Sequence, residues 1–507
     1  MPADVRQTES ATSRHESSLR YIVESLASLA LAVLLVRSFA VEGYIISTGS
    51  MAPYLLGYHK QVVCPECRTP FAVGVPVDDA HETNGPVDCF NCGQKQIDLT
   101  HVPRNEGDQL LVQKFAYLFR RPKRWEVVVF QNPSHPTQAY VKRVLGLPGE
   151  AIQVRAGDVW INGELARKNL AEQRSTRLVI CSDQHRPSED SEWRWKLSPE
   201  WTRRGDHLEC TGGRTSSGAT EKNTRRRLAT DAEIGADKDG IHWVTYTGDA
   251  EERHRLRSKK ETAAEPAQLW PTDVYAYNGL TEPNQRYRVR DVMLAMRVEL
   301  QSGRGAMSWL LSDGSQTFEV RLEAGERKVR LFVDGDEEAE PSVELSGSLW
   351  KRPWLVEMSL FDRQLLFALN GDVIFQRPLE PLGASVKNGN GAAKNSTAET
   401  PAKFGVRDLH VSVSDLTLYR DVYYTRGDGR NGVTEPYQLG SDEYFFLGDN
   451  SPVSLDSRSW LDAVVRDNNL IGKPFLVHLP SRPGRVKLGS TERHIRVPDW
   501  GRIRYIR

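Results

Sequence analysis

The chain has 507 residues with 67 basic and 67 acidic side chains, and this zero balance removes any global electrostatic basis for binding nucleic acid. At about 150 residues per domain the length predicts roughly three structural units, and 39% apolar residues with 12 Trp and 15 Phe exclude a disordered chain. Six cysteines cannot staple a chain this long, so their spacing is read locally, and a mean hydropathy of −0.51 confines any membrane segment to one place.

Residues 1–20 read as a polar tail. Residues 21–41, YIVESLASLALAVLLVRSFAV, predict a transmembrane helix. At about 1.5 Å per residue they reach roughly 31 Å, enough for the hydrocarbon core, and Glu24 and Arg37 lie near the two ends, within reach of an interface. A cleaved signal peptide is the first rival, but Asp4, Glu9 and Glu16 dilute its basic region and no A-x-A site follows. A buried core helix is the second. Residues 42–164 contain short β-type runs such as EVVVFQNP and AYVKRVLGLPG broken by Pro and Gly, with a cysteine-bounded insert at 62–95. Residues 165–269 are heavily charged, carry RRR at 225–227 and receive no fold. Alternating strands with turn signals at Asp334-Gly335 and Asn370-Gly371 predict a β-sandwich over 270–437, interrupted by a loop at Pro381–Lys403. Strand-like EYFFLGDN opens a last β segment, 438–507. The fold class is mainly β.

Three segments could carry chemistry. Ser50 in STGSMAP stands just after the helix; taken alone, it reads as a turn serine. Lys142 lies inside the apolar run YVKRVLG, where desolvation disfavours the ammonium form and could leave an amine able to take a proton from a serine; a lysine pointing to solvent is the bland alternative. In GDNSPVSLDSR, Asp456 and Arg458 could brace one strand edge, leaving Ser454 to orient an amine.

With these residues in view, the chain resembles bacterial type I signal peptidase, the Ser/Lys leader-peptidase family. STGSMAP resembles its S-G-S-M-x-P box, GDQLLVQKF its second box, YVKRVLGLPGE its lysine box, and GDNSPVSLDSR its G-D-N-x-x-x-S-x-D-S-R box, in the family's order. The resemblance covers residues 21–61, 106–164 and 440–480. It implies a β-rich catalytic domain at 42–164 and 438–507, with Ser50 as nucleophile and Lys142 as general base. It further implies Ser454 holding the lysine amine, an Asp456–Arg458 ion pair, and an oxyanion hole of the Ser50 amide and the Thr48 hydroxyl. Thr48 and Tyr54 depart from the family's usual residues. Ile45, Ile46, Val141 and Val144 are the expected lining of pockets for small side chains. The implied partners are exported preproteins and a lipid bilayer, with the catalytic domain outside the cytoplasmic membrane and no cofactor for catalysis.

Cys64-x2-Cys67 and Cys89-x2-Cys92 have zinc-ribbon spacing, so structural zinc is expected, with paired disulfides as the alternative outside the membrane. Cys181 and Cys210 are left open, free or paired. The S-x-x-K match at Ser348–Lys351 lacks a K-T-G partner, and no phosphate-binding loop or H-E-x-x-H occurs. By strand pattern the insert resembles concanavalin-like sandwiches, which suggests a glycan or protein ligand. The rival readings are a binding scaffold built on a peptidase-like core and a self-cleaving Ser/Lys regulator.

Overall fold

The computed structural model describes residues 11–35, 40–76, 85–132, 135–188, 193–211, 239–248, 270–279, 286–339, 342–345, 352–380, 400–488 and 491–506. The RRR run, the Ser348–Lys351 match, residues 1–10 of the tail and most of the 381–403 loop lie outside them. Strands dominate, as the mainly β expectation requires.

Strands from both sides of the long insert interleave in one 8-stranded sheet. Its spatial order is Val41–Ile45, Gln109–Gln113, Leu470–His478, Val127–Asn132, His135–Gly146, Glu443–Leu447 and Val465–Arg466, with Arg504–Tyr505 pairing to Leu470–His478. Leu470–His478 is antiparallel to both its neighbours, so a strand from beyond the insert lies between two that precede it. The apolar run Val127–Phe130 is buried on both faces, which suits a central strand. Side-chain alternation sends Val127 and Val129 into a cluster with Met51, Leu110 and Val112, and Val128 and Phe130 into a second with Val144, Tyr444 and Phe446. Burying each of these large side chains contributes about 1.5–3 kcal/mol, so the His135–Gly146 strand is clamped from both sides.

The predicted transmembrane helix is corrected in extent. The observed helix runs Ala11–Leu35, ten residues earlier than expected, and Val41 already belongs to a strand whose partner is Gln113. Residues 36–39 lie outside the described set. From Tyr21 to Leu35 the helix reaches only about 22 Å, short of a hydrocarbon core of about 30 Å. Among the described residues no helix is long and apolar enough to cross a membrane.

The insert forms a 14-stranded sheet on two long paired strands, Val292–Ser312 and Ala402–Arg420. Val292–Ser312 pairs with Trp354–Ser359 along its first half and with Thr317–Glu323 along its second. Between the halves the register breaks: Gly303 takes φ +111°, and Gly305 lies against the Arg407 carbonyl, where any Cβ would collide. The charged stretch 165–269, given no fold from sequence, supplies Leu178–Ser182, Trp195–Leu197, Trp201–Arg204, His207–Cys210 and His242–Tyr246 to this same sheet. Its tryptophans turn inward, and within the strand Trp201–Arg204 the buried Trp201 alternates with outward-facing Thr202 and Arg204. Cys181 and Cys210 are both buried in this sheet's core, and neither is in a disulfide.

Candidate active site

The Ser50 turn is held from beneath and from one side. Met51, Ala52 and Leu55 are fully buried, and the Leu55 amide donates to the Met51 carbonyl at 2.9 Å. The Asn450 amide donates to the Ser50 carbonyl at 3.0 Å, and Asn450 Nδ2 donates to the Gly49 carbonyl at 3.0 Å. Gly448 is required here, because a Cβ on it would fall on the Ser50 carbonyl and on Ser454 Oγ. The backbone of the GDN segment therefore lies directly against that of the Ser50 turn.

Lys142 stands opposite Val128 and is 4% exposed. Its Nζ donates to Ser50 Oγ, so residues 92 positions apart in sequence meet as expected. Burial pushes the lysine down from 10.5 to about 8. Asp456 and Asp449 pull it back up and Arg458 pushes it further down, so the nearby ions largely offset one another and desolvation decides the shift.

The expected Asp456–Arg458 pair is present and bidentate, at 2.9 Å from Nε to Oδ1 and 2.7 Å from Nη2 to Oδ2. Both side chains are buried. Asp456 Oδ2 also accepts the Gly448 amide at 3.1 Å, which ties the pair to the glycine touching the Ser50 turn.

Three sequence expectations are corrected. Ser454 Oγ is buried without a hydrogen-bond partner, so it does not hold the lysine amine; the amine's bond goes to Ser50 instead. Ile46 and Val144 are 6% and 0% exposed and lie in the two clusters that clamp the sheet, so they line no open pocket. Val141 is packed against the first of these clusters, and Ile45 is exposed. Thr48 lies exposed two residues before Ser50.

Two sets of residues escaped the sequence reading. Arg143, next to Lys142 and fully buried, makes a bidentate pair with Asp449 at 2.7 and 2.6 Å. An arginine inside an apolar strand demands a carboxylate, and Asp449 in the GDN segment was the available one. Tyr275, Tyr277 and Asn278, from a 3-10 turn of the insert, reach the same loops; nothing local in the sequence signals this.

Cys64, Cys67, Cys89 and Cys92 converge as four buried free thiols whose sulfurs lie within 4.8 Å of one another. The Cys64–Cys92 and Cys67–Cys89 separations are 3.7 Å each. A zinc tetrahedron with Zn–S of about 2.3 Å has edges of about 3.8 Å, so the donor set fits such an ion.

The family described as Signal peptidase, peptidase S26, matches residues 102–206 and 393–479, segments that hold Lys142, Asp449, Ser454, Asp456 and Arg458 but not the Ser50 turn. Signal peptidase I of Leptolyngbya laminosa is 44% identical over 71 residues, covering 12% of this chain and 34% of its own length. Signal peptidase I V of Bacillus subtilis (strain 168) is 41% identical over 59 residues, with the same two coverages, 12% and 34%. The chain thus spans about a third of the length of the curated relatives it matches. Among solved structures, the carbohydrate-binding module CBM66 from Bacillus subtilis covers 44% of this chain and 94% of its own at 8% identity, with a TM-score of 0.23, too low to assign the insert a fold. The matched segments and the buried lysine on a serine hydroxyl define the class as a peptidase-type chain. Within that class, the matched segments are similar to the signal peptidase S26 family.

Proposed function

We propose that the chain is a membrane-attached signal peptidase I, a serine endopeptidase that removes signal peptides from exported preproteins through Ser50 and Lys142. The observation that carries this reading is the buried Lys142 amine donating to Ser50 Oγ. In its neutral form the amine accepts the Ser50 proton while Oγ attacks the scissile carbonyl. The amine then passes that proton to the departing amino group, leaving an acyl-enzyme. It next takes a proton from water, and the hydroxide releases the new C-terminus and restores Ser50. The Ser50 amide and the Thr48 hydroxyl are the donors for the developing oxyanion, each such donor being worth typically about 2.7–4 kcal/mol. Substrate lies as an extended strand with small side chains at the first and third positions before the cut, against Ile45 and Val141. The test is cleavage of a preprotein with Ala at those two positions by the wild-type chain and by Ser50→Ala. Product from both at equal rates overturns the reading.

The pH profile follows from the lysine. Only the uncharged amine is a base, and burial lowers it to about 8. The expected kcat/KM therefore rises with pH, falls about tenfold per unit below the limb, and is half-maximal near pH 8. A limb at the ordinary lysine value of 10.5 would mean a hydrated amine and would refute the assignment.

Attachment to the outer face of the cytoplasmic membrane rests on the helix Ala11–Leu35, where Leu26, Leu29, Leu31 and Leu34 are each more than half exposed. The four thiols hold structural zinc, which supplies no chemistry because four thiolates leave no open position. Metal analysis of the purified chain is expected to find one zinc, lost in Cys64→Ser. Removing it with a chelator withdraws binding energy on the order of 10 kcal/mol and exposes the 62–95 region to protease. A metal-free chain with unchanged protease resistance would exclude the site.

A further inference from the structure

A short piece of the insert reaches into the active site. The segment Asp273–Gly279 turns through a 3-10 helix at Ala276–Asn278 and ends on Gly279 at φ +64°. The Tyr277 ring is wedged between two glycines: a Cβ on Gly49, directly before Ser50, or on Gly74 of the cysteine ribbon would land in the ring. Tyr277 is 6% exposed, packs with Ala52 and Leu56, and donates its hydroxyl to the Tyr58 carbonyl at 2.9 Å. Tyr275 donates its hydroxyl to the Asp449 carbonyl at 2.7 Å.

Asn278 completes the arrangement through a reciprocal amide pair. Its Nδ2 donates to Asn450 Oδ1 at 2.9 Å, and Asn450 Nδ2 donates back to Asn278 Oδ1 at 2.7 Å. Asn450 is the residue whose amide holds the Ser50 carbonyl and whose Nδ2 holds the Gly49 carbonyl. Gly49 and Ser50 thus hang from Asn450, and Asn450 is oriented by a side chain from the insert. A nucleophile has to be kept within about 0.5 Å of its working position, and an error of about 1 Å can cost 100-fold in rate.

We propose that Asn278 and Tyr277, carried by the insert, are positioning residues that fix the Gly49–Ser50 turn against Lys142, so that the insert is required for full turnover. This rests on the Ser50/Lys142 peptidase reading above. Without Asn278 the Asn450 side chain loses two of its bonds and the turn loses its outer support. Tyr277 sets how close that turn can approach the ribbon.

The test compares Asn278→Ala, Asn278→Asp and Tyr277→Phe with the wild-type and Ser50→Ala chains on the same preprotein. Asn278→Ala is expected to lower kcat about tenfold, with KM within twofold, the pH limb unmoved and an unchanged thermal midpoint. Asn278→Asp keeps the acceptor for Asn450 Nδ2 and recovers part of the loss. Tyr277→Phe keeps the wedge, loses only the bond to Tyr58, and lowers kcat about threefold. Full kcat in both Asn278→Ala and Tyr277→Phe overturns the proposal, as does a loss accounted for by a smaller folded fraction. If Ser50→Ala also cleaves at the wild-type rate, the peptidase reading fails first; if Ser50→Ala is inactive while the other variants run at full rate, only the positioning role fails.

Discussion

Lys142→Ala is expected to reduce kcat for preprotein cleavage by roughly 10⁴-fold or more, Ser50→Ala by a similar factor, and the double variant by no more than either. The non-additivity is the sharper part of the prediction. A hydroxyl without its base and a base without its hydroxyl are equally idle, because the two groups act as one unit. Lys142→Arg should be as inactive as Lys142→Ala, since a guanidinium stays charged and cannot accept the proton. Single-turnover cleavage with excess chain measures all four. A double variant markedly slower than both single ones, or an active Lys142→Arg, would show that the contact between Nζ and Oγ is not the reacting one.

The second large effect concerns stability. Arg143→Ala leaves Asp449 as a buried carboxylate without its bidentate partner, and breaking a buried pair on one side costs about 3–5 kcal/mol. Asp449→Ala strands the guanidinium in the same way. Replacing both together, as Arg143→Met with Asp449→Leu, removes both charges and should cost less than the two single effects combined. Urea midpoints at constant slope measure this. Additive losses would mean that the two side chains are stabilised independently of each other.

What could be read from the sequence follows how local each interaction is. Ser50, Lys142 and the Asp456–Arg458 pair lie in short segments whose composition already suggests their use, and the structure brings all four residues to one site. The cysteines converge because two C-x2-C turns carry most of the geometry. Ile46 and Val144 were misjudged because an apolar side chain beside a reacting residue can face either a pocket or the core, and alternation along a strand does not say which. Ser454 was given the amine on resemblance, whereas the actual bond is settled by the exact placement of the Ser50 turn. The strands between 178 and 246 were missed because their outward positions carry Arg and Lys, and because Cys210 pairs with Val411, a partner far along the chain. Arg143–Asp449 spans 306 residues, beyond any local pattern.

The strand Leu470–His478, lying between Gln109–Gln113 and Val127–Asn132, also sets a schedule for biosynthesis. At roughly 5–20 residues per second, Asp449 leaves the ribosome about 15–60 s after Arg143, given their separation of 306 residues. Leu470–His478 follows later still, and before it the strands Gln109–Gln113 and Val127–Asn132 lack the neighbour that joins them. Under the Ser50/Lys142 reading, a nascent chain halted before Leu470 is therefore expected to cleave no preprotein, and one extended past His478 to become competent.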